Sequence, residues 1–115
     1  MSAYTPSSAV VAASKGTIGA LFHSSVPANP DRRAVVDGDR TVTYASLDAR
    51  SNQLAHVMLG LGLSRGDRVG WLARNCAEYL EVELAAAKAG LIVAALNWRL
   101  GDRELRHCIC LVEPK

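Results

Sequence analysis

Residues 66–100 read GDRVGWLARNCAEYLEVELAAAKAGLIVAALNWRL, and this stretch decides the fold. Residues 67–73 hold a short apolar run (Val69, Trp71, Leu72) opened by Gly66; it is too short for a helix and bounded by turn residues, so it reads as a strand. Asn75 offers a side-chain oxygen to the first free amides of a following helix, and Glu78 sits where a capping-box carboxylate reaches back. Residues 76–89 are strong helix formers, with Tyr79, Leu80, Val82 and Leu84 set among alanines. Gly90 stands where a helix end favours a left-handed residue. Residues 91–96 (LIVAAL) are apolar on both alternating faces, which suits a parallel strand buried on both sides. Strand, helix and strand make a βαβ unit with a right-handed crossover.

The flanking segments extend this unit. Residues 34–43 contain two β-rich runs either side of Asp37-Gly38, a short hairpin signal because both turn positions tolerate positive φ. Thr43 then caps a helix over residues 44–60, whose Leu47, Leu54, Met58 and Leu61 recur at helical spacing with Asp48, Arg50 and Asn52 off the stripe. Upstream, Thr17 opens a short helix ending before Pro27 and Pro30, with Ile18, Leu21 and Phe22 on one face. Residues 1–15 are small and Ser/Ala-rich without periodicity, and the expectation there is a flexible tail. Residues 102–112 form a last helix, with acids in its first turn and Leu105, Ile109 and Val112 as its apolar face. The expected fold class is α/β, a partial three-layer sandwich with one parallel pair of strands, helices on its faces and a small hairpin.

Composition narrows the function. A chain of 115 residues makes at most one modest domain. Its net charge of +2 is too small, and its basic residues too mixed with acids, to argue for nucleic acid or an anionic membrane. No uncharged apolar run approaches the roughly 20 residues that span a bilayer. The N-terminus carries no basic region ahead of its AVVAA run, so no secretory signal is expected. Three cysteines (Cys76, Cys108, Cys110) are few and odd in number, which suits a reducing cytoplasm better than a disulfide scaffold.

Two glycine-containing segments invite a nucleotide reading, and both fail on context. A dinucleotide loop follows a strand and opens a helix, so that amides and the helix N-terminus face the pyrophosphate. The segment from Gly60 to Gly66 does the reverse: it closes a helix and precedes a strand. Ser14-Lys15-Gly16 lacks the upstream glycine and strand of a phosphate-binding loop. His107, Cys108 and Cys110 lie on one helix, which does not easily point neighbouring positions at one metal ion, and no metal site is expected. His23 and His56 have no neighbouring nucleophile or carboxylate pattern, so a surface role is expected for both.

The order of these pieces resembles the N-terminal part of the AMP-dependent synthetase/ligase superfamily, the adenylate-forming enzymes that include fatty-acyl-CoA ligases. The resemblance runs from about Asn29 to Ile109. It is carried by Thr43-Tyr44-x-x-Leu47 at a helix start, Gly66-Asp67-Arg68-Val69 at a strand, Lys88-Ala89-Gly90 at a helix end and Leu96-Asn97-Trp98-Arg99-Leu100 after the second strand. Each motif alone is weak; four in the family's order and spacing are specific. The last form resembles the fatty-acyl and related carboxylate–CoA ligases. Ser46 stands where a capping-box glutamate is usual, and Gly101 where a threonine usually caps the last helix.

The resemblance implies a two-step reaction with ATP, magnesium and CoA: a small carboxylic acid, here a fatty acid, is adenylated, and the CoA thiol then displaces AMP. It also implies that residues 16–115 are an incomplete N-terminal subdomain. The family's Ser/Thr/Gly phosphate loop, adenylate-binding acids and C-terminal lysine lie beyond the region covered, so no catalytic residue is assigned and the piece is not expected to be catalytic alone. One binding residue carries over. Arg99 lies just beyond the second strand, where open α/β sheets gather ligands, and the resemblance implies a contact with a CoA phosphate; packing against the sheet edge is the alternative. A different class of function, a non-enzymatic α/β interaction module completed by a partner chain or a second copy, also fits the residues.

Overall fold

The structure is a computed structural model, and it describes residues 16–115. The flexible tail expected over residues 1–15 lies outside the described residues. Eight elements follow in order: α1 (Ile18–Ser25), β1 (Arg33–Asp37), β2 (Arg40–Thr43), α2 (Tyr44–Gly60), β3 (Arg68–Trp71), α3 (Ala77–Ala89), β4 (Ile92–Ala95) and α4 (Asp102–Val112). β1 and β2 form an antiparallel hairpin, and β3 and β4 a separate parallel pair with Val69 beside Val93 and Gly70 beside Ala94. This is the expected α/β arrangement of a small hairpin and a parallel βαβ unit.

The strands are shorter than the sequence suggests. Residues 67–73 shrink to Arg68–Trp71, and 91–96 to Ile92–Ala95. The missing residues have other partners: the Leu91 N–H donates to Ala86 O and belongs to the end of α3. Gly90 takes φ 73° there, the left-handed cap the sequence indicates. The burial expected on both faces of residues 91–96 is overturned. Leu91 is buried, but Ile92 is 52 % exposed and Ala95 is exposed. Among the described residues the sheet has only two strands, so β4 has no second neighbour.

The hairpin turn also falls one residue later than Asp37-Gly38. Its loop is Gly38-Asp39, and only Gly38 is left-handed, with φ 58°. Asp37 is thereby the last residue of β1, and its carboxylate accepts the Ala77 N–H at 3.0 Å. That bond replaces the expected Asn75 cap: Cys76 occupies the N-cap position of α3 without a side-chain bond. Glu78 does not reach back either, since it pairs with Arg40 of the hairpin at 2.6 Å. A tertiary carboxylate has displaced a local amide. At α2 the local expectation holds, with Thr43 Oγ1 accepting the Ser46 N–H at 3.2 Å.

The two long helices, α2 and α3, pack on each other and on the sheet. One core joins Ala55 and Met58 of α2 to Val82, Ala85 and Ala86 of α3 and to Leu91. Val42, Leu47 and Ala77 make a second core beneath the hairpin. The α2 stripe is correct for Leu47, Leu54 and Met58, but Leu61 is 76 % exposed because the helix stops at Gly60 and Leu61 caps it. In α1 the expected apolar face is only partly used: Ile18, at 72 % exposure, and Leu21 are exposed, Phe22 is half-buried against the second core, and the buried residue is Gly19. A Cβ on Gly19 would stand 2.9 Å from Lys88 Cγ and 3.2 Å from Lys88 Cα, so its absence allows α1 to approach the α3 backbone. The apolar face of α4 is shallow: Leu105 and Val112 are half-buried and Ile109 is exposed. Arg68 anchors the end of that helix by donating to Val112 O at 2.9 Å, and the Lys115 N–H donates to Arg68 O along the outer edge of β3.

Candidate functional site

The carboxyl ends of β3 and β4 open onto one cleft of about 680 Å³. Parallel strands direct their outgoing loops to the same side, so Arg74 and Asn75 after β3 meet Asn97, Trp98 and Arg99 after β4. Trp71 and Tyr79 form one wall, with ring centroids 5.7 Å apart and planes 23° from parallel. The Glu83 carboxylate beside the Tyr79 hydroxyl, aided by burial, raises its pKa above the ordinary 10.0, so the phenol stays a neutral donor.

Arg99, the one binding residue expected from the sequence, lies in this cleft. Its backbone N–H donates to Asn97 Oδ1 at 3.0 Å, a local turn that fixes the start of the loop. Its guanidinium carbon lies 5.1 Å from the centroid of the Trp98 ring. Arg74 approaches the same ring more closely, at 4.5 Å. Trp98 is 43 % exposed, so the ring is a platform open to the cleft rather than a packing residue. Sequence reasoning missed Arg74. The signal was available: it follows β3 as Arg99 follows β4, and the strand-end rule applies to both.

The lining of the cleft contains two guanidinium groups, two amide side chains, aromatic rings and no carboxylate. Such a surface suits an anion with a flat ring. The same composition does not fit a magnesium ion, which takes oxygen ligands with one or two carboxylates among them. Among the described residues no three His, Cys, Asp or Glu side chains converge on one point. His107 and Cys108 line a shallow depression with Leu100, Arg103 and Glu104, and all three cysteines are free.

A second polar cluster lies away from the cleft, where α1, α2 and α3 meet. Lys88 Nζ donates to Asp48 Oδ1 at 2.8 Å, Ser51 Oγ at 2.6 Å and Asn52 Oδ1 at 2.7 Å. His23 Nδ1 stands 3.0 Å from Asp48 Oδ2, so the histidine expected to lack a carboxylate neighbour has one across 25 residues of sequence. Burial raises the Asp48 pKa, but the hydrogen bonds from Lys88 and His23 outweigh it and the net direction is down. Every group in this cluster bonds to another protein group, which marks it as a joint between helices.

Loops from parallel strands thus converge on one open, anion-suited cleft of an α/β fold. Residues 22–115 match the AMP-binding enzyme family, and the chain belongs to that family. It is 39 % identical over 90 residues to a medium/long-chain-fatty-acid–CoA/3-oxocholest-4-en-26-oate–CoA ligase of Mycobacterium tuberculosis, a match covering 78 % of this chain and 16 % of that protein. It is 38 % identical over 80 residues to a fatty acid–[acyl-carrier-protein] ligase of Streptomyces coeruleorubidus, covering 70 % of this chain and 15 % of that one. Among solved structures, a Mycobacterium tuberculosis fatty acyl CoA synthetase superimposes with a TM-score of 0.81 at 31 % identity, covering 86 % of this chain and 20 % of that one. The chain therefore spans a small fraction of the length of these proteins. No helix among the described residues is long and apolar enough to cross a membrane.

Proposed function

We propose that these residues are the N-terminal portion of an ATP-dependent carboxylate–CoA ligase. In that reaction a carboxylate oxygen attacks the α-phosphate of ATP, pyrophosphate leaves, and the CoA sulfur then takes the acyl group as AMP departs. The 39 % identity to a medium/long-chain-fatty-acid–CoA ligase carries the reading and favours a fatty acid as the carboxylate. The first step needs a phosphate-binding loop, a lysine and a divalent cation to stabilise developing charge. These residues hold no such loop and the cleft lining has no carboxylate for magnesium, which supports the reading that this portion is not catalytic alone. Their contribution is to acceptor binding: Arg99, at the carboxyl end of β4, contacts a phosphate of CoA. Three free cysteines fit a reducing cytoplasm.

The test starts with the protein isolated from its source, its intact mass and its acid-dependent release of pyrophosphate from ATP. The 115-residue chain alone should release none, and a protein several times longer should release it and form a thioester. Arg99→Ala in that longer ligase should raise KM for CoA about tenfold, the scale of one charge-assisted bond, and leave pyrophosphate release unchanged. An unaltered CoA dependence removes Arg99 from the acceptor site. Pyrophosphate release regained only on mixing with a second polypeptide makes the chain a partner-completed subunit.

A further inference from the structure

The first helix is fastened to the fold by a single polar contact. Among the described residues, no hydrogen bond or ion pair ties residues 17–29 to the rest of the chain except His23 Nδ1 with Asp48, at 3.2 Å from Oδ1 and 3.0 Å from Oδ2. The other side-chain hydrogen bonds of α1 stay within it: Thr17 Oγ1 accepts the Ala20 N–H, and the Ser24 and Ser25 hydroxyls donate to Leu21 O and Phe22 O. Apolar attachment is thin as well. Gly19 sits against the Lys88 backbone, and Phe22 stacks on Tyr44 at 5.7 Å with Lys88 Nζ 5.7 Å from its ring. Ile18 and Leu21 are exposed. An element held by so few buried contacts opens before the body of a fold does.

That single fastening is titratable. The His23 side chain is 68 % exposed and open to solvent protons, whereas the Asp48 side chain is 12 % exposed. Burial of Asp48 is outweighed by its hydrogen bonds from Lys88 and His23, so the carboxylate stays ionised, and an acceptor only, across the neutral range. Facing His23 are Asp48 of α2 and, beyond that carboxylate, Lys88 of α3. Glu83 of α3 lines the groove behind Phe22 and is bonded to Tyr79, and Tyr44 of α2 carries the Phe22 ring. α1 holds no other charged residue. A histidine ordinarily takes up its proton at about pH 6.5, and a charge-assisted bond to a carboxylate is stronger than a neutral one. Above that range the imidazole offers Asp48 a neutral N–H at most, while Lys88 still answers the carboxylate. We propose that His23 and Asp48 form a pH-sensitive latch for α1, closed while the imidazole is charged and released as it loses its proton. Docking firms as pH falls through the histidine range, until the carboxylate itself is protonated. Release draws Ile18 and Phe22 away from an apolar groove of about 510 Å³ that they line with Leu80, Leu84 and Val93, and it uncovers the Lys88 cluster while the body stays folded.

Hydrogen–deuterium exchange tests it, followed in peptides from α1 and, as an internal reference, in peptides from α2 around Ala55 and Met58. Rates are corrected for the intrinsic pH dependence of amide exchange and compared at two protein concentrations, so that self-association does not pass for docking. The α1 amides should exchange about threefold faster at about pH 8 than at about pH 6, the scale of a mostly exposed ion pair, while the α2 amides keep their rate. His23→Gln keeps a donor and cannot take a proton, so its α1 should exchange at the alkaline rate throughout. Gly19→Ala, whose Cβ would stand 3.2 Å from Lys88 Cα, should free α1 at both pH values and set the rate of the undocked helix. An α1 rate independent of pH overturns the latch, as does the same pH dependence in His23→Gln or in the α2 amides of the parent. Exchange in Gly19→Ala no faster than in the parent means that α1 is not docked in solution, which overturns it too.

Discussion

Lys88 is the side chain on which three helices converge. Its ammonium group answers four oxygens of α2, its stem passes Gly19 of α1, and its own helix is α3. Lys88→Met keeps the stem and removes the charge, leaving Asp48, Ser51 and Asn52 short of a donor. Breaking a largely buried pair in this way should cost about 3 kcal/mol, read as a lower urea midpoint. Adding Asp48→Asn to Lys88→Met should cost less than the two single changes summed, because both remove one interaction. Acid should act on Asp48 of this network and on two carboxylates outside it. Glu78 is held down from 4.5 to about 2, first by its hydrogen bond to Arg40. Asp67 is lowered first by the Ser64 N–H and then by Lys115, and Asp48 is lowered as well. In each case the folded pKa is below the unfolded one, so the unfolded chain binds more protons in acid. The stability is complete above the unfolded values and lost as pH falls through the folded ones. Urea midpoints should be level above about pH 5 and drop steadily toward about pH 2. None of this network was legible at residue scale. Asp48 lies off the apolar stripe of α2, and only the arrival of Lys88, 40 residues later, explains its burial.

Elements were more legible than their joints. The caps at Thr17 and Thr43 follow from short-range side-chain chemistry, and the structure has both. The α3 cap is a different case: Asn75 is adjacent in sequence, but the carboxylate of Asp37 reaches the first amide from the hairpin. Asp37→Ala should therefore destabilise the fold by about 1 kcal/mol, visible as a lower Tm. Asn75→Ala should stay within about 0.5 kcal/mol of the parent. The reverse ranking would restore the local cap. The hairpin is thus attached to the βαβ unit through a helix N-terminus, and the Arg40–Glu78 pair makes a second tie on the same turn.

Across the whole molecule, the parallel pair stands open. β4 has no second neighbour among the described residues, Ile92 and Val36 are each more than half exposed, and an apolar groove of about 510 Å³ runs past Phe22, Leu80, Leu84 and Val93. Unpaired strand groups beside apolar surface favour pairing with another chain. The 115-residue chain should accordingly self-associate at micromolar concentration in sedimentation velocity. A monodisperse monomer that melts cooperatively would contradict this.

The sequence by itself determined the α/β class, the order of strands and helices and the βαβ unit, because periodicity, capping residues and turn glycines act over a few residues; the family came from the resemblance of four short motifs in order. It also placed Arg99 beyond a strand end. Tertiary structure decided what those elements share: the burial of Asp48 by Lys88, the capping of α3 by Asp37, and the meeting of Arg74 with Arg99 on Trp98. Each joins groups separated by 24 to 40 residues. Such contacts leave no periodic trace in the chain, since their energy comes from charge and hydrogen bonding between surfaces that exist only once the helices have packed.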